Sequence, residues 1–455
     1  MPNHARPVQN TSANAREADR SGHVPEQVCG QSYGQVWEHS LGPQDYLLSS
    51  EARESVRDLH DPLFARAWEE QGFAEGQGLP GRAVAALQAR LLVRLFERLG
   101  CLETEQRRGS GSLFYRTLLA PYKSSLMQLQ QSCRQIWETM LDRSTLGTAD
   151  TNESEFVLLA PVREVLATLP LTSGRDIAGD YRRFLCTSQD EVARIVTLTT
   201  SGSTGAAKRL AFSVRDLERT RKFFAAGMAQ IVGNGDVLLV CLPGAERPDG
   251  VADLLNRGLS PLGVTVHALP SAASDQLVLE TIAKLSPTSL VLAPRQLQTL
   301  LQIFPDKAPG RLRSFLVSAD WCDHSLLQQA QKAWQVATLD HYGITETCFG
   351  CALECRGKAG YHIRHADVFC EIIDPLTGEI LPPGEVGELV LTTLRQEVMP
   401  LVRYRTGDAA SLRIDTCNCT SPLSRIDRLL GRFAPGTRDI IHPKKGERCH
   451  VPLSV

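Results

Sequence analysis

An α/β fold, built on a mostly parallel sheet with flanking helices and followed by a β-rich region, is what this 455-residue sequence predicts. Three observations carry that expectation. Beyond about residue 190, short apolar runs alternate with runs of helical period, as strands joined by helical crossovers do. Beyond Asp367 the punctuation changes to closely spaced Pro and Gly, as in Asp-Pro-Leu-Thr-Gly at 374–378, which indicates antiparallel hairpins. Composition is that of a globular chain, with 42% hydrophobic and 22% charged residues.

Taken in order, residues 1–45 are polar and aperiodic and read as a tail. Residues 46–190 are helical in pattern. Val84, Leu87, Leu91, Leu95 and Leu99 recur at spacings of three and four, with Gly100 as a stop. Leu126, Leu129, Cys133, Ile136, Trp137 and Met140 do likewise. Phe156 to Leu169 is a further helical stretch, with Pro161 in its first turn or bending it. Residues 191–366 form the α/β core, with strands expected at 195–199, 237–242, 264–268, 290–293 and 315–318. Helices are expected between them at 214–231, 251–262, 276–285 and 326–336. Residues 367–432 are β-rich, and 433–455 remain as a short terminal segment.

The bulk numbers also exclude classes of function. A formal net charge of −2 lacks the basic excess of a surface that coats nucleic acid. No run of about 18 apolar residues suggests a membrane helix. The N-terminus has no apolar segment of a secretory signal, so a cytoplasmic protein is expected. Of the 13 cysteines, seven lie between Cys348 and Cys449. In a reducing compartment such clustering points to metal binding or simple packing rather than to bridges.

Four stretches carry chemistry. Residues 199–208 read Thr-Thr-Ser-Gly-Ser-Thr-Gly-Ala-Ala-Lys, directly after an expected strand. Gly202 and Gly205 let successive N–H groups converge on an anion. Thr200, Ser201, Ser203 and Thr204 add hydroxyl donors, and Lys208 a positive charge. The block is not a P-loop; it suits a loop around nucleotide phosphates, or a flexible linker. At 340–346 the chain reads Asp-His-Tyr-Gly-Ile-Thr-Glu. There Tyr342 suits an adenine face, Gly343 a close approach and Thr345 an α-phosphate. Glu346 is an oxygen ligand of the kind magnesium takes. A turn followed by a capping box would use the same residues. Asp408, in Arg-Tyr-Arg-Thr-Gly-Asp, suits two ribose hydroxyls or an ordinary turn. Arg432, in Leu-Leu-Gly-Arg, is the cationic companion.

The order of these blocks resembles the adenylate-forming superfamily of acyl-CoA synthetases, luciferases and peptide-synthetase adenylation domains. The phenylacetate–CoA ligase group within it is matched more closely. That likeness rests on Gly-Tyr-His-Ile-Arg (360–364), on residues 371–394, and on Met-Pro-Leu-Val-Arg-Tyr-Arg-Thr-Gly-Asp (399–408). The resemblance implies an adenylate-forming large domain, in which parallel sheets with flanking helices are followed by an antiparallel hairpin or barrel region. It also implies ATP, magnesium and coenzyme A as cofactors and a small carboxylic acid as substrate. Residues 200–208 would hold the β- and γ-phosphates. Ala319 and Asp320 would border the adenine, and Lys208, Thr345 and Glu346 would act in catalysis. Family members continue about 100 residues beyond the Gly-Arg as a mobile domain, which carries a hinge acid and a catalytic lysine. Here Phe433-Ala434-Pro435 stands at the hinge and Val455 follows soon after, so that domain is expected to be mostly absent. The alternatives are a nucleotide-binding, catalytically reduced subunit and an adenylating enzyme with an acceptor other than coenzyme A. A homodimer or an accessory role is the expected assembly, and region 47–145 is a wall of the acyl pocket or a dimer interface.

Cys355, His362, Cys417 and Cys419 supply the ligand count of a closed structural zinc site, provided the hairpins bring the close Cys-x-Cys pair back to 355–362. Unligated thiols are the alternative, and Cys348 and Cys351 are weaker candidates.

Overall fold

The computed structural model describes residues 81–102, 111–141, 154–198, 207–269, 273–441 and 448–450. The expected polar tail therefore lies outside the described residues. Helix α1 (Gly81–Arg98) buries Val84, Leu87, Leu91 and Leu95 along one face. It ends where expected, with Gly100 in the left-handed region at φ 74°. Helix α2 (Lys123–Leu141) packs against α1 through Leu126, Leu129, Cys133 and Ile136. The stretch after residue 154 is two helices, Glu155–Leu158 and α3 (Ala160–Ala167), because Pro161 starts a new helix at its first turn.

Strands β1 (Arg194–Leu198) and β2 (Lys208–Phe212) form an antiparallel hairpin of their own. The first expected strand thus stands apart from the parallel sheet, since it pairs with the next strand along the chain. Helix α4 (Val214–Met228) follows, opened by a capping box between Ser213 and Asp216.

A parallel array comes next. Its strands are β3 (Val237–Cys241), β4 (Thr265–Ala268), β5 (Ser289–Leu292), β6 (Ser314–Val317) and β7 (Ala337–Tyr342). Between them run α5 (Val251–Leu259), α6 (Asp275–Leu285), α7 (Pro294–Ile303) and α8 (His324–Trp334). The sequence pattern did not mark α7, whose Pro294 sits at the first helical position, where a missing N–H costs nothing. Alternation along the strands divides the core in two. Leu239, Cys241, Leu290, Leu292, Phe315 and Val317 face α6, α7 and α8. Leu238, Val240, Val291, Leu316 and Leu339 face α4 and α5. Both faces are covered, so β3 is apolar throughout and β5 and β6 are apolar beyond their opening serines.

Among the described residues the sheet has nine strands, because β7 continues into antiparallel partners. These are β8 (Ala352–Glu354), β9 (Tyr361–Ile363), β14 (Arg425–Ile426) and β13 (Leu412–Arg413). A separate six-stranded antiparallel sheet runs β10 (Val368–Ile373), β11 (Gly387–Thr393), β12 (Tyr404–Ala410), β15 (Gly431–Phe433), β16 (Asp439–Ile441) and β17 (Arg448–His450). Residues 412–426 therefore belong to the larger sheet, and the segment after Arg432 extends the smaller one. A fully buried ion pair locks the second sheet to the helices. The Arg403 guanidinium meets Glu371 at 3.1 Å and donates to the carbonyls of Ala167 and Leu169 at 3.0 and 2.6 Å. No helix among the described residues is long and apolar enough to cross a membrane.

Asp340, inside β7, accepts a 2.6 Å hydrogen bond from the Tyr361 hydroxyl. Burial nevertheless pushes its carboxyl up to about 6 from 3.8. The folded chain then holds this proton more tightly than the unfolded chain. The stabilisation it brings is complete below about pH 4 and is lost as pH rises through 6. Asp340→Asn is accordingly expected to be more stable than the parent at pH 7.5 by up to about 3 kcal/mol, with the two converging below pH 4. Urea unfolding at both pH values checks this, and an equal gap at each would contradict it.

Candidate active site

The parallel strands are ordered β4-β3-β5-β6-β7. After β3 the chain turns first to one side, to β4, and then to the other, to β5. Such a switch point leaves a crevice at the carboxyl ends of the strands, where α/β sheets bind ligands. A cavity of about 770 Å³ lies there. Leu242 and Pro243 line it after β3, Ser318 and Ala319 after β6, and Gly343 to Glu346 after β7. Phe223, Phe224 and Met228 of α4 and Leu255 of α5 give it an apolar side. Ala319 holds a left-handed φ of 73°, a strained backbone at the cavity wall.

Lys208 sits at the first position of β2, so the hairpin carries it to the end where it pairs with Leu198, the last residue of β1. There it forms an ion pair with the Glu346 carboxylate. It also donates to the Tyr404 hydroxyl at 3.2 Å. Tyr404 in turn donates to Glu346 Oε1 at 2.6 Å. Burial and the adjacent Glu346 charge push the Tyr404 hydroxyl far above its ordinary pKa, so it stays protonated. Three distant segments thus meet in one hydrogen-bonded knot. Glu346 lies in a short 3-10 turn, Thr345–Thr347, capped by no side chain, so the capping-box alternative does not form.

A second knot lies beside it. Tyr342, at the end of β7, donates from its hydroxyl to Asp408 Oδ2 at 2.8 Å. The Arg432 Nε donates to Asp408 Oδ1 at 2.8 Å, because β12 and β15 pair Asp408 opposite Arg432. Each carboxylate oxygen keeps a further lone pair for a ligand. Arg432, Gly343, Thr345, Glu346, Ala319 and Lys208 line the cavity. Tyr342, Asp408 and Asp320 are not among its lining residues, and Tyr342 and Asp408 are both buried. Thr200, Ser201, Gly202, Ser203, Thr204 and Gly205 lie outside the described residues.

Sequence reasoning gave no role to Tyr404, His341 or Ser318. Tyr404 stood inside a quoted motif, and only its fold partners reveal its place. The His341 Nδ1 lies 2.9 Å from the Ser318 Oγ, while its Nε2 is buried with no partner. Burial lowers the His341 pKa to about 4, so the ring is neutral at pH 7.

A third cluster lies away from the cavity. Cys355 directly follows β8 and His362 lies within β9, while Cys417 and Cys419 come from the turn between β13 and β14. Their ligand atoms all lie within 4.8 Å of one another. Cys355 Sγ is 3.7 Å from Cys417 Sγ, and Cys419 Sγ is 3.4 Å from His362 Nε2. Tetrahedral zinc with ordinary bond lengths would set such edges at about 3.5–3.8 Å. The Gly357 N–H donates to Cys355 Sγ at 3.2 Å. A hydrogen bond from Cys419, and then His362, pull the Cys355 thiol well below its usual range, to about 3. Burial works against charge on His362, yet its hydrogen bonds with Cys355 and Cys417 lift it to about 9.

A cavity at a switch point of the sheet, with acids and bases from separate segments paired around it, defines an α/β protein with a ligand-binding crevice. The chain belongs to the AMP-binding enzyme family, whose model matches residues 133–399. It is 29% identical to phenylacetate-coenzyme A ligase of Thermus thermophilus over 276 residues, which cover 59% of this chain and 61% of that one. It is 30% identical to the Pseudomonas putida phenylacetate-coenzyme A ligase over 278 residues, with the same two shares. The chain thus spans about three fifths of the length of these curated relatives. A solved structure of 2-hydroxyisobutyryl-CoA ligase, in an open conformation with 2-HIB-AMP and CoA, shares the fold at a TM-score of 0.59 and 14% identity. The alignment covers 77% of this chain and 69% of that one.

Glu346→Gln would leave the largely buried Lys208 ammonium without its counterion. We expect a loss of about 3 kcal/mol in urea unfolding, whereas a loss under 0.5 kcal/mol would show the pair to be solvent-screened.

Proposed function

We propose that this chain binds ATP with magnesium in the cavity and activates a small carboxylic acid as its acyl-adenylate, with coenzyme A as the acceptor. One observation carries the reading. Lys208, Thr345, Glu346 and Arg432, drawn from three distant segments, line a single cavity, and Asp408 is bound to Arg432. The similarity to phenylacetate-coenzyme A ligases supports the same chemistry.

In this reading Glu346 would hold the magnesium, which supplies charge neutralisation at the phosphates. Lys208 would turn from Glu346 to phosphate oxygens, and residues 200–205 would donate to the same phosphates. Thr345 would donate to the α-phosphate, and Asp408 would accept from the ribose hydroxyls. Ala319 and Gly343, which line the cavity, would frame the adenine, while Asp320 and Tyr342, which do not line it, would not touch the ring directly. The substrate carboxylate attacks the α-phosphorus and pyrophosphate leaves; the thiolate of coenzyme A then attacks the acyl carbon and AMP leaves. The residues here act by positioning and by preorganised charge. The apolar side formed by Phe223, Phe224, Met228 and Leu255 would take the body of the acid.

The cluster of Cys355, His362, Cys417 and Cys419 is read as a structural zinc site, because its donor set and spacing suit a closed tetrahedral ion. Free thiols at the described cysteines favour a reducing, cytoplasmic setting. A homodimer is the assembly we would look for first.

Lys208→Ala and Asp408→Ala are each expected to weaken ATP binding at least tenfold in calorimetric titration; unchanged affinity in both would remove the phosphate and ribose assignments. ATP–pyrophosphate exchange with a panel of aromatic and aliphatic acids tests the activation step, and no exchange with any acid would leave nucleotide binding alone. Purified protein should carry about one equivalent of zinc, and Cys417→Ser should lose most of it with a drop in Tm. Less than a tenth of an equivalent in the parent would refute the zinc site.

A further inference from the structure

Along β1 the cavity is lined by Arg194, Val196 and Leu198, with Thr197 between the last two. Two are apolar, as a pocket wall requires, and the first is a guanidinium. Hairpin register pairs Leu198 with Lys208 and Arg194 with Phe212. Arg194 therefore stands four residues, about 13 Å of strand, from the Lys208 end.

The Arg194 guanidinium lies over the Phe349 ring at 5.2 Å and is half-buried, with Nη1 covered and without a hydrogen-bond partner. Arg247, exposed on the segment after β3, lines the same cavity and is near enough to disfavour charge on Arg194. The acids that could neutralise them are already engaged. Asp249 and Asp253 both face Arg257, at 2.5 and 3.3 Å. Among the described residues, neither Arg194 nor Arg247 has a carboxylate within ion-pair distance, whereas Lys208 and Arg432 each have one. Burial lowers the Arg194 pKa, with Asp249 acting in the opposite sense. Keeping a partly desolvated cation without a counterion is unfavourable, and an incoming anion relieves it. A planar fork stacked on an aromatic ring is also preorganised for two parallel hydrogen bonds to a carboxylate or phosphate.

We propose that Arg194 and Arg247 form a second anion-binding point of this cavity, which receives an anionic group carried by a ligand whose reacting end lies toward Lys208 and Glu346. The inference rests on the reading of the cavity as a carboxylate-activating site. Two sources share the required chemistry: a second carboxylate on the acid, and a phosphate on the acceptor thiol.

Calorimetric titration of the full chain in the presence of AMP separates them. One arm compares coenzyme A with 3′-dephospho-coenzyme A. The other compares adipate and phthalate with their monomethyl esters. The parent should bind the more charged member of at least one pair tenfold or more tightly, and that pair identifies the source. Arg194→Gln should reduce the ratio to under threefold, and Arg194→Lys should fall between. Arg247→Gln, at an exposed position where folding is not at stake, should also reduce it. No charge preference in either arm, or a preference that survives both Gln variants, overturns the proposal. Pyrophosphate exchange separates this result from the broader reading. Exchange with simple monoacids but no charge preference sinks only the second anion point. A charge preference without any exchange sinks only the activation chemistry.

Discussion

The contact between the Lys208 ammonium and the Glu346 carboxylate, closed by the Tyr404 hydroxyl, is the interaction on which the site depends. It joins a β-hairpin, the turn after the last parallel strand and the second antiparallel sheet. Each segment would otherwise be positioned only by its own layer. The three groups are largely shielded from water, so their attraction is stronger than that of a surface pair. The same shielding makes a lone member costly. Any arrangement that separates the layers must break this knot, which ties the geometry of the cavity to the docking of the sheets.

Around that contact the fold works by division of labour. Parallel strands β3, β5, β6 and β7 end at one edge and provide a crevice with apolar walls. The second sheet contributes charge, through Asp408 and Arg432 on paired strands. Its placement against the helical layer is held by buried Arg403, whose guanidinium bonds Glu371 and two carbonyls at the end of α3. Gln88 of α1 adds a further tie, donating to the carbonyl of His365 at 2.9 Å, next to the start of β10. Polar side chains buried between layers are directional, so they set register where apolar packing alone would tolerate sliding.

The Cys–His cluster applies the same logic at a distance. Cys417 and Cys419 lie on a turn between two strands of two residues each. Such short strands offer few backbone hydrogen bonds, and β14 pairs with β9 at Arg425 opposite His362. A tetrahedral ion at this point would fasten that edge and, with it, the segment that leads to Gly431 and Arg432.

Much of the chain was readable before any fold was known. Amphipathic periods located α1 and α2, apolar runs located the parallel strands β3 to β6 but not β7, whose Thr338, Asp340 and His341 interrupt its apolar run, and Pro/Gly punctuation located the β10–β11 hairpin. Those signals are local, because burial of one helix face or both strand faces writes itself into adjacent residues. Lys208, Glu346, Asp408 and Arg432 could be named from their motifs, and Cys355 and His362 could be joined to Cys417 and Cys419 by ligand count. What depends on neighbours remote in sequence could not be read. The pairing of β1 with β2 outside the parallel sheet, the buried bond of Tyr342 to Asp408 and the closing of Glu346 by Tyr404 were decided by tertiary structure. So was the exposure of Arg194 to the cavity without a counterion, since whether a charge is paired depends on which acids the fold brings beside it and which bases they already serve.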